Sequence, residues 1–289
     1  MFLEWTNTVL QGVLLGGLYG MFAMGLSLIW GVMRLVNIAH GDFILLAAYV
    51  ALVFGQAAGL DPLAALPLVA IAMAALGYVL QRTVLNRTLG KGLLPPLLVT
   101  FGLSVVVQNL LLQGFSADSQ ALRAESLTTA SLRLGESIAV GWFPLGVFVA
   151  ALAMGLGLQL LFSRTAFGRV LRATSDDHET VQLVGVDEKR TYARAMAIAF
   201  ALMAVAGVFL GMRTSFTPTD GPANLLFAFE AVVIGGLGSF WGTFAGGVIL
   251  GVAQAVGFRL DPGWGLLVGH FVFLGVLLFK PEGLFPKTR

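Results

Sequence analysis

Apolar runs of membrane-spanning length, separated by short polar interruptions, set the pattern of this chain. Thr8 to Met33 carries no charge and is long enough to cross a bilayer core of roughly 30 Å. Arg34, Asn37, His40 and Asp42 then interrupt the apolar register. A second run, Phe43 to Ala58, is short for a full span. Pro62 to Val79 and Leu93 to Phe115 predict a third and a fourth helix, the latter opened by Pro95 and Pro96, where missing N–H donors cost little. Ser116 to Ser137 reads as a polar loop. Ile138 to Phe162 and Ala195 to Met212 predict the fifth and sixth spans. Two shorter pieces, Asn224 to Leu237 and Trp241 to Phe258, form two crossings or one re-entrant hairpin, and Trp264 to Phe279 is the last run. The expectation is one all-α domain over 1–289, a polytopic bundle of about seven to nine spans with discontinuous or re-entrant segments.

Composition agrees with that reading. The chain is 57% hydrophobic and 11% charged, against about 25% charged residues in a soluble domain. Its strands would have to alternate in polarity to form a barrel, and they do not. With Glu4 the only charge before Arg34, the basic leader of a secretory signal is missing, so the first run is expected to be retained. Placing the charged stretch 164–194 in the cytoplasm puts thirteen of the seventeen basic residues inside, leaving Arg123, Arg133, Arg213 and Arg259 outside. The N-terminus is then expected outside and the C-terminus inside. Two Gly-interrupted stretches, GVMRLVNIAHGD and FEAVVIGGLGSFWGTFAGG, form a weak internal echo of the kind that marks discontinuous helices beside a substrate path.

The stretch Arg164 to Arg194 is the densest concentration of charge in the chain. Arg164, Arg169 and Arg172 lie at its start. Asp176 followed by Glu179 has the spacing of a capping box, Val181 and Val184 would share one face of a short helix, and Gly185 is a left-handed stop. Asp187 is placed to cap the sixth span. Such a helix can dock into a groove on a partner, Asp177 contributing to its charge; a solvated connector is the alternative.

Asn37, His40 and Gly41 lie in a predicted helix break and either line a pathway or brace the break. Glu230 is an ionisable group in an apolar run, either on the path with Gly235, Gly236 and Gly238 or a structural helix-end carboxylate. Gln108, Asn109, Gln254 and His270 read as interhelical hydrogen-bonders. Gly12, Gly16 and Gly20, and again Gly238, Gly242 and Gly246 and the pair Gly247 and Gly251, have the four-residue spacing of close helix contacts. No cysteine is present, the three histidines are far apart without ligand spacing, and no GxxxxGK[ST] occurs, so neither a metal site nor a nucleotide-hydrolysing loop is expected. No nucleophile, base and orienting group stand at catalytic spacing, and no cofactor is expected.

Three runs carry a family resemblance. GLSLIWGVMRLVNIAHGDFILLAAYVAL (25–52), GRVLRATSDDHETVQLVGV (168–186) and FEAVVIGGLGSFWGTFAGGVILG (229–251) resemble, in order, the N-terminal signature, cytoplasmic coupling loop and C-terminal signature of branched-chain amino acid ABC importer permeases. The chain is similar to the shorter of the two permease types. The resemblance implies a bacterial inner-membrane protein whose loop docks on separate ATPase subunits, working with a second permease and an extracytoplasmic solute-binding protein, with no role for nucleic acid. It departs from the family at Thr180, Val181 and Gln182, where alanines are usual. Importers of other polar solutes, such as urea, short amides or monosaccharides, share this architecture. A transporter that works without ATP is the further alternative.

Overall fold

The computed structural model describes residues 1–122, 131–133 and 139–286. The helices are α1 (Phe2–Met33), α2 (His40–Ala58), α3 (Pro62–Thr83), α4 (Leu94–Phe115), α5 (Trp142–Arg164), α6 (Ala166–Asp176), α7 (His178–Leu183), α8 (Glu188–Arg213), α9 (Gly221–Gly235), α10 (Phe240–Leu260) and α11 (Gly265–Phe279). Seven of these segments are long and apolar enough to cross a membrane. The protein is an all-α, multi-pass membrane protein. α9 and α11 are shorter, 15 residues each, or about 22 Å at the α-helical rise.

The expected spans are present with shifted ends. The second run begins at His40 and is 19 residues long, since the polar His40 and Asp42 are buried inside the bundle. The fifth helix starts at Trp142 instead of Ile138, because Ala139–Gly141 pairs antiparallel with Ser131–Arg133. The sixth starts at Glu188, seven residues earlier than its apolar run. Of the loop and tail charges, Arg123, Glu125, Glu136, Lys287 and Arg289 lie outside the described residues, as does the side chain of Arg133.

Cross-chain contacts define two ends of the bundle. At one, Arg259 pairs with Glu4 at 2.6 Å and Gln11 donates to the Ala139 carbonyl. At the other, Asn86 donates to the Lys189 carbonyl and a Cβ on Gly31 would stand 3.3 Å from the Gly238 Cα. Arg34, Arg82, Arg87, Lys91, Arg164, Arg169, Arg172, Lys189, Arg190, Arg194 and Lys280 belong to this Arg34 end. Among the described basic side chains, Arg213 and Arg259 belong to the Glu4 end. Glu4 and Phe285 lie at opposite ends of the bundle, since Phe285 N donates to the Gly235 carbonyl beside the Gly236–Gly238 turn.

Within this frame α1–α4 and α8–α11 are two repeats of opposite topology. α1 packs on α10 as α8 packs on α3; α2 lies on α8 as α9 lies on α1; α4 touches α2 as α11 touches α9. α1 runs from the Glu4 end to the Arg34 end, and α8 runs back. Each first helix is followed by a non-helical segment, 34–39 or 214–220, and then by a helix that starts inside the bundle. The N-termini of these two helices meet: a Cβ on Gly41 would overlap the Gly221 carbonyl, and one on Gly221 the Asp42 carboxylate. The counterpart of 34–39 is therefore 214–220. The Gly235–Ser239 stretch, expected to match it, is instead a turn between antiparallel helices, made by positive φ at Gly236 (108°) and Gly238 (80°).

Gly12, Gly16 and Gly20 of α1 pack against the pair Gly247 and Gly251 of α10. A Cβ on Gly16 would come within 2.6 Å of the Gly247 carbonyl oxygen, and one on Gly12 within 2.7 Å of the Val252 Cα. Without a hydrophobic force between helices in lipid, such backbone contact is what holds α1 to α10. Gly246 instead meets Ala231 on α9.

Candidate functional site

The charged stretch folds into two short helices that cross the Arg34 end. Thr165 caps α6, its hydroxyl accepting from Gly168 N at 2.9 Å, and Gly168 allows α6 to lie against the Leu161 and Phe162 backbone of α5. The opposite end of α6 is tied to α1, where Ser175 Oγ donates to the Gly31 carbonyl at 2.6 Å. Arg169 is exposed, and Arg172 lines a cavity shared with Gly31, Gly238 and Trp241.

The capping box expected at Asp176 does not form. Asp176 is the last residue of α6, and Asp177 is the cap of α7, accepting from Thr180 N at 3.0 Å and from its hydroxyl at 2.5 Å. The side chain of Glu179 lies outside the described part of the chain. Val181 and Val184 also part company: Val181 is 6% exposed, whereas Val184, beyond the helix end, is 76% exposed next to Leu183 at 87%. Gly185, at φ 85°, makes the expected stop. Asp187 caps α8 as expected, accepting from Arg190 N at 3.0 Å.

The first break is hydrogen-bonded to α1 and α4. Asn37 Oδ1 accepts from Ala39 N at 3.1 Å, and Thr100 of α4 accepts from Ile38 N at 3.2 Å. His40 Nε2 donates to the Phe22 carbonyl at 2.7 Å, which fixes the proton on that nitrogen. Asp42 Oδ1 accepts from Gln108 at 2.9 Å. Asn37, His40 and Asp42 are all buried, and Asn37 Nδ2, His40 Nδ1 and Asp42 Oδ2 have no partner among the described residues. Asp42, missed as a site residue, could have been found in the sequence as the carboxylate next to Gly41 in an apolar run.

The second half repeats the theme. Glu230 on α9, 1% exposed, accepts from His270 Nδ1 on α11, and its Oε2 has no partner among the described residues. A carboxylate on the second helix thus bonds the last helix of each repeat, Asp42 to Gln108 and Glu230 to His270. Gln254 accepts from the Tyr19 hydroxyl at 2.6 Å across α10 and α1. Asn109 does not bridge helices; being exposed, it bonds its own Val105 carbonyl.

The structure brings part of the expected site together. Ser175 and Asp176 of the charged stretch, Gly31 and Arg34 at the end of α1, and Gly238 of the second turn surround one cleft. Asn37, His40 and Gly41 lie deeper, against Phe22 and Gly221, and Glu230 lies apart from them.

Residues 8–278 match the family described as the branched-chain amino acid transport system permease component. The chain is 30% identical to the high-affinity branched-chain amino acid transport permease BraD of Pseudomonas aeruginosa, covering 99% of this chain and 97% of that protein. It is 28% identical to the LivH permease of Escherichia coli, covering 100% and 97%. A fructose import permease, FrcC of Rhizobium meliloti, is 33% identical over 64% of this chain and 55% of its own length. No solved structure gives a significant match. With a family match across nearly its whole length, and an all-helical, multi-pass architecture to fit, the chain belongs to the permease components of branched-chain amino acid transport systems.

Proposed function

We propose that this chain is the permease subunit of a binding-protein-dependent ABC importer that moves branched-chain amino acids across a bacterial inner membrane. ATP is hydrolysed by separate subunits that dock on α6 and α7. A second permease completes the membrane part, and an extracytoplasmic binding protein delivers the substrate. Near-complete coverage by branched-chain amino acid permeases, against partial coverage by the fructose permease, favours the amino-acid substrate. The basic residues clustered at the Arg34 end favour a cytoplasmic position for it, which leaves the N-terminus outside and the C-terminus inside.

The observation that carries the mechanism is the Ser175 to Gly31 hydrogen bond. Force applied to α6 and α7 passes through it into the last turn of α1, immediately before the 34–39 break. It passes also toward Gly238 and the α9–α10 turn. The N-termini of α2 and α9, in contact through Gly41 and Gly221, act as the closed gate between the repeats. Asn37, His40 and Gly41 on one side, and Glu230 with the Gly235, Gly236 and Gly238 turn on the other, are the parts that rearrange when a path opens. In this reading Arg169, Arg172, Asp176, Asp177, Val184 and Gly185 belong to the segment on which the ATPase docks, with Leu183 and Val184 as its exposed apolar anchors and the buried Val181 holding α7 in place.

Reversing charge at Asp177→Lys together with Glu179→Lys tests this. The expected result is a membrane-inserted protein with binding-protein-stimulated ATP hydrolysis and uptake both lost. Normal leucine uptake by the double variant would refute the docking role.

A further inference from the structure

A cleft of about 530 Å³ opens at the Arg34 end between four elements: the end of α1, the turn after α3, the end of α6 and the start of α8. Its volume falls within the range of small-molecule sites. Val32 and Leu89 give it an apolar wall. Arg34 and Lys189 bring positive charge, and neither is in an ion pair among the described residues. Asp176 and Asp177 at the end of α6 and Glu188 on α8 bring negative charge, Glu188 also accepting from Gln182 at 2.5 Å. Arg34 holds its position with a left-handed backbone (φ 50°), as the residue that ends α1.

We propose that this cleft binds a free amino acid of the transported kind from the cytoplasmic side, and that its occupancy slows transport. The inference rests on the importer reading and on the orientation given there. A zwitterion with an aliphatic side chain matches the three features of the cleft: its carboxylate is met by Arg34 and Lys189, its ammonium by the acidic groups Asp176, Asp177 and Glu188, and its side chain by Val32 and Leu89. An inorganic or nucleotide phosphate is disfavoured, because the acidic walls repel it and it has no use for the apolar one. The walls belong to the very elements that must shift when α6 and α7 are pushed. A ligand that bridges them binds one arrangement better than another, and by reciprocity it holds the transporter in that arrangement.

The test uses the whole complex of permeases, ATPase and binding protein in nanodiscs, with the binding protein already saturated by micromolar leucine. Raising free leucine to millimolar concentration is expected to lower ATP hydrolysis about five-fold, the low end of ordinary allosteric coupling. Leucinol and N-acetyl-leucine, each lacking one of the two charges, are expected to leave the rate unchanged. Arg34→Asn, chosen because asparagine tolerates the left-handed backbone, and Lys189→Gln are each expected to abolish the ratio between the two rates. A rate independent of free leucine, equal inhibition by the single-charge analogues, or inhibition that survives either substitution overturns the proposal. A complex that the loaded binding protein fails to stimulate counts against the importer reading instead. In that case calorimetric titration of leucine into the permease and ATPase complex without binding protein still decides the cleft, absence of binding overturning it.

Discussion

Ser175 donates its hydroxyl hydrogen to the carbonyl oxygen of Gly31 at 2.6 Å, joining the amphipathic α6 to the last turn of the most deeply packed helix. That carbonyl lies within the last four residues of α1, so the bond also satisfies a helix-end acceptor. Ser175→Ala removes a partly buried hydrogen bond worth about 1 kcal/mol, a factor of about five. Uptake is expected to fall by about that factor while ATP hydrolysis falls less, because the ATPase contacts remain and the transmitted movement is weakened. The ratio of leucine transported to ATP hydrolysed is the measurement, and an unchanged ratio argues against this route.

Gly16 and Gly247 decide how close α1 and α10 approach. Gly16→Leu forces a side chain into the α10 backbone and is expected to cost 1–3 kcal/mol or more, by analogy with overpacked cores. Gly102 on α4 has open space around its Cβ position, so Gly102→Leu is the matched control with little expected effect. Thermal unfolding of the purified permease in detergent separates the two; equal loss in both would deny the glycine contact its role.

The glycine spacing that predicts this contact was legible in the sequence because close helix approach leaves a period of four. The spans were legible for a similar reason, since hydropathy alone identifies lipid-length helices. What stayed hidden depends on tertiary position. Asp176 and Asp177 are adjacent carboxylates, and only the place where α6 ends makes Asp177 the cap. Val184 has the right spacing to follow Val181, yet Gly185 ends the helix before Val184 joins its face. The repeat of 34–39 at 214–220 escaped because RLVNIAHGD and TSFTPTDG share no residue pattern; their equivalence lies in packing partners. Asn37 and His40 mark a break in the sequence, but the groups they bond, Ala39 N and the Phe22 carbonyl, follow only from how the break folds back on α1.

Gly41 and Gly221 face each other where two helix N-termini meet. Gly41→Ala places a methyl group on the Gly221 carbonyl, so this contact cannot form and, in the proposed mechanism, the gate cannot close. The expected outcome is a protein that inserts but has a leak: ATP-independent equilibration of labelled leucine across proteoliposomes, with active accumulation reduced. Accumulation at the wild-type level would show that the contact is not a gate.

Glu230 and His270 offer the sharpest distinction between a structural brace and an isolated charge. His270 is 35% exposed while Glu230 is 1% exposed, so the carboxylate depends on the imidazole for its only hydrogen bond among the described residues. Removing the imidazole with His270→Ala leaves a buried acceptor without a donor and is expected to cost about 3 kcal/mol, the low end for breaking a buried pair. Glu230→Gln keeps the shape and can still bond a neutral imidazole, so its cost is expected to be below 1 kcal/mol, about the net worth of one neutral hydrogen bond. The double variant His270→Ala with Glu230→Gln is expected to recover much of the loss, since no buried carboxylate remains. Unfolding measured across the three variants reads this as a coupling energy. Strict additivity of the two single changes would mean that the pair contributes nothing to holding α9 against α11.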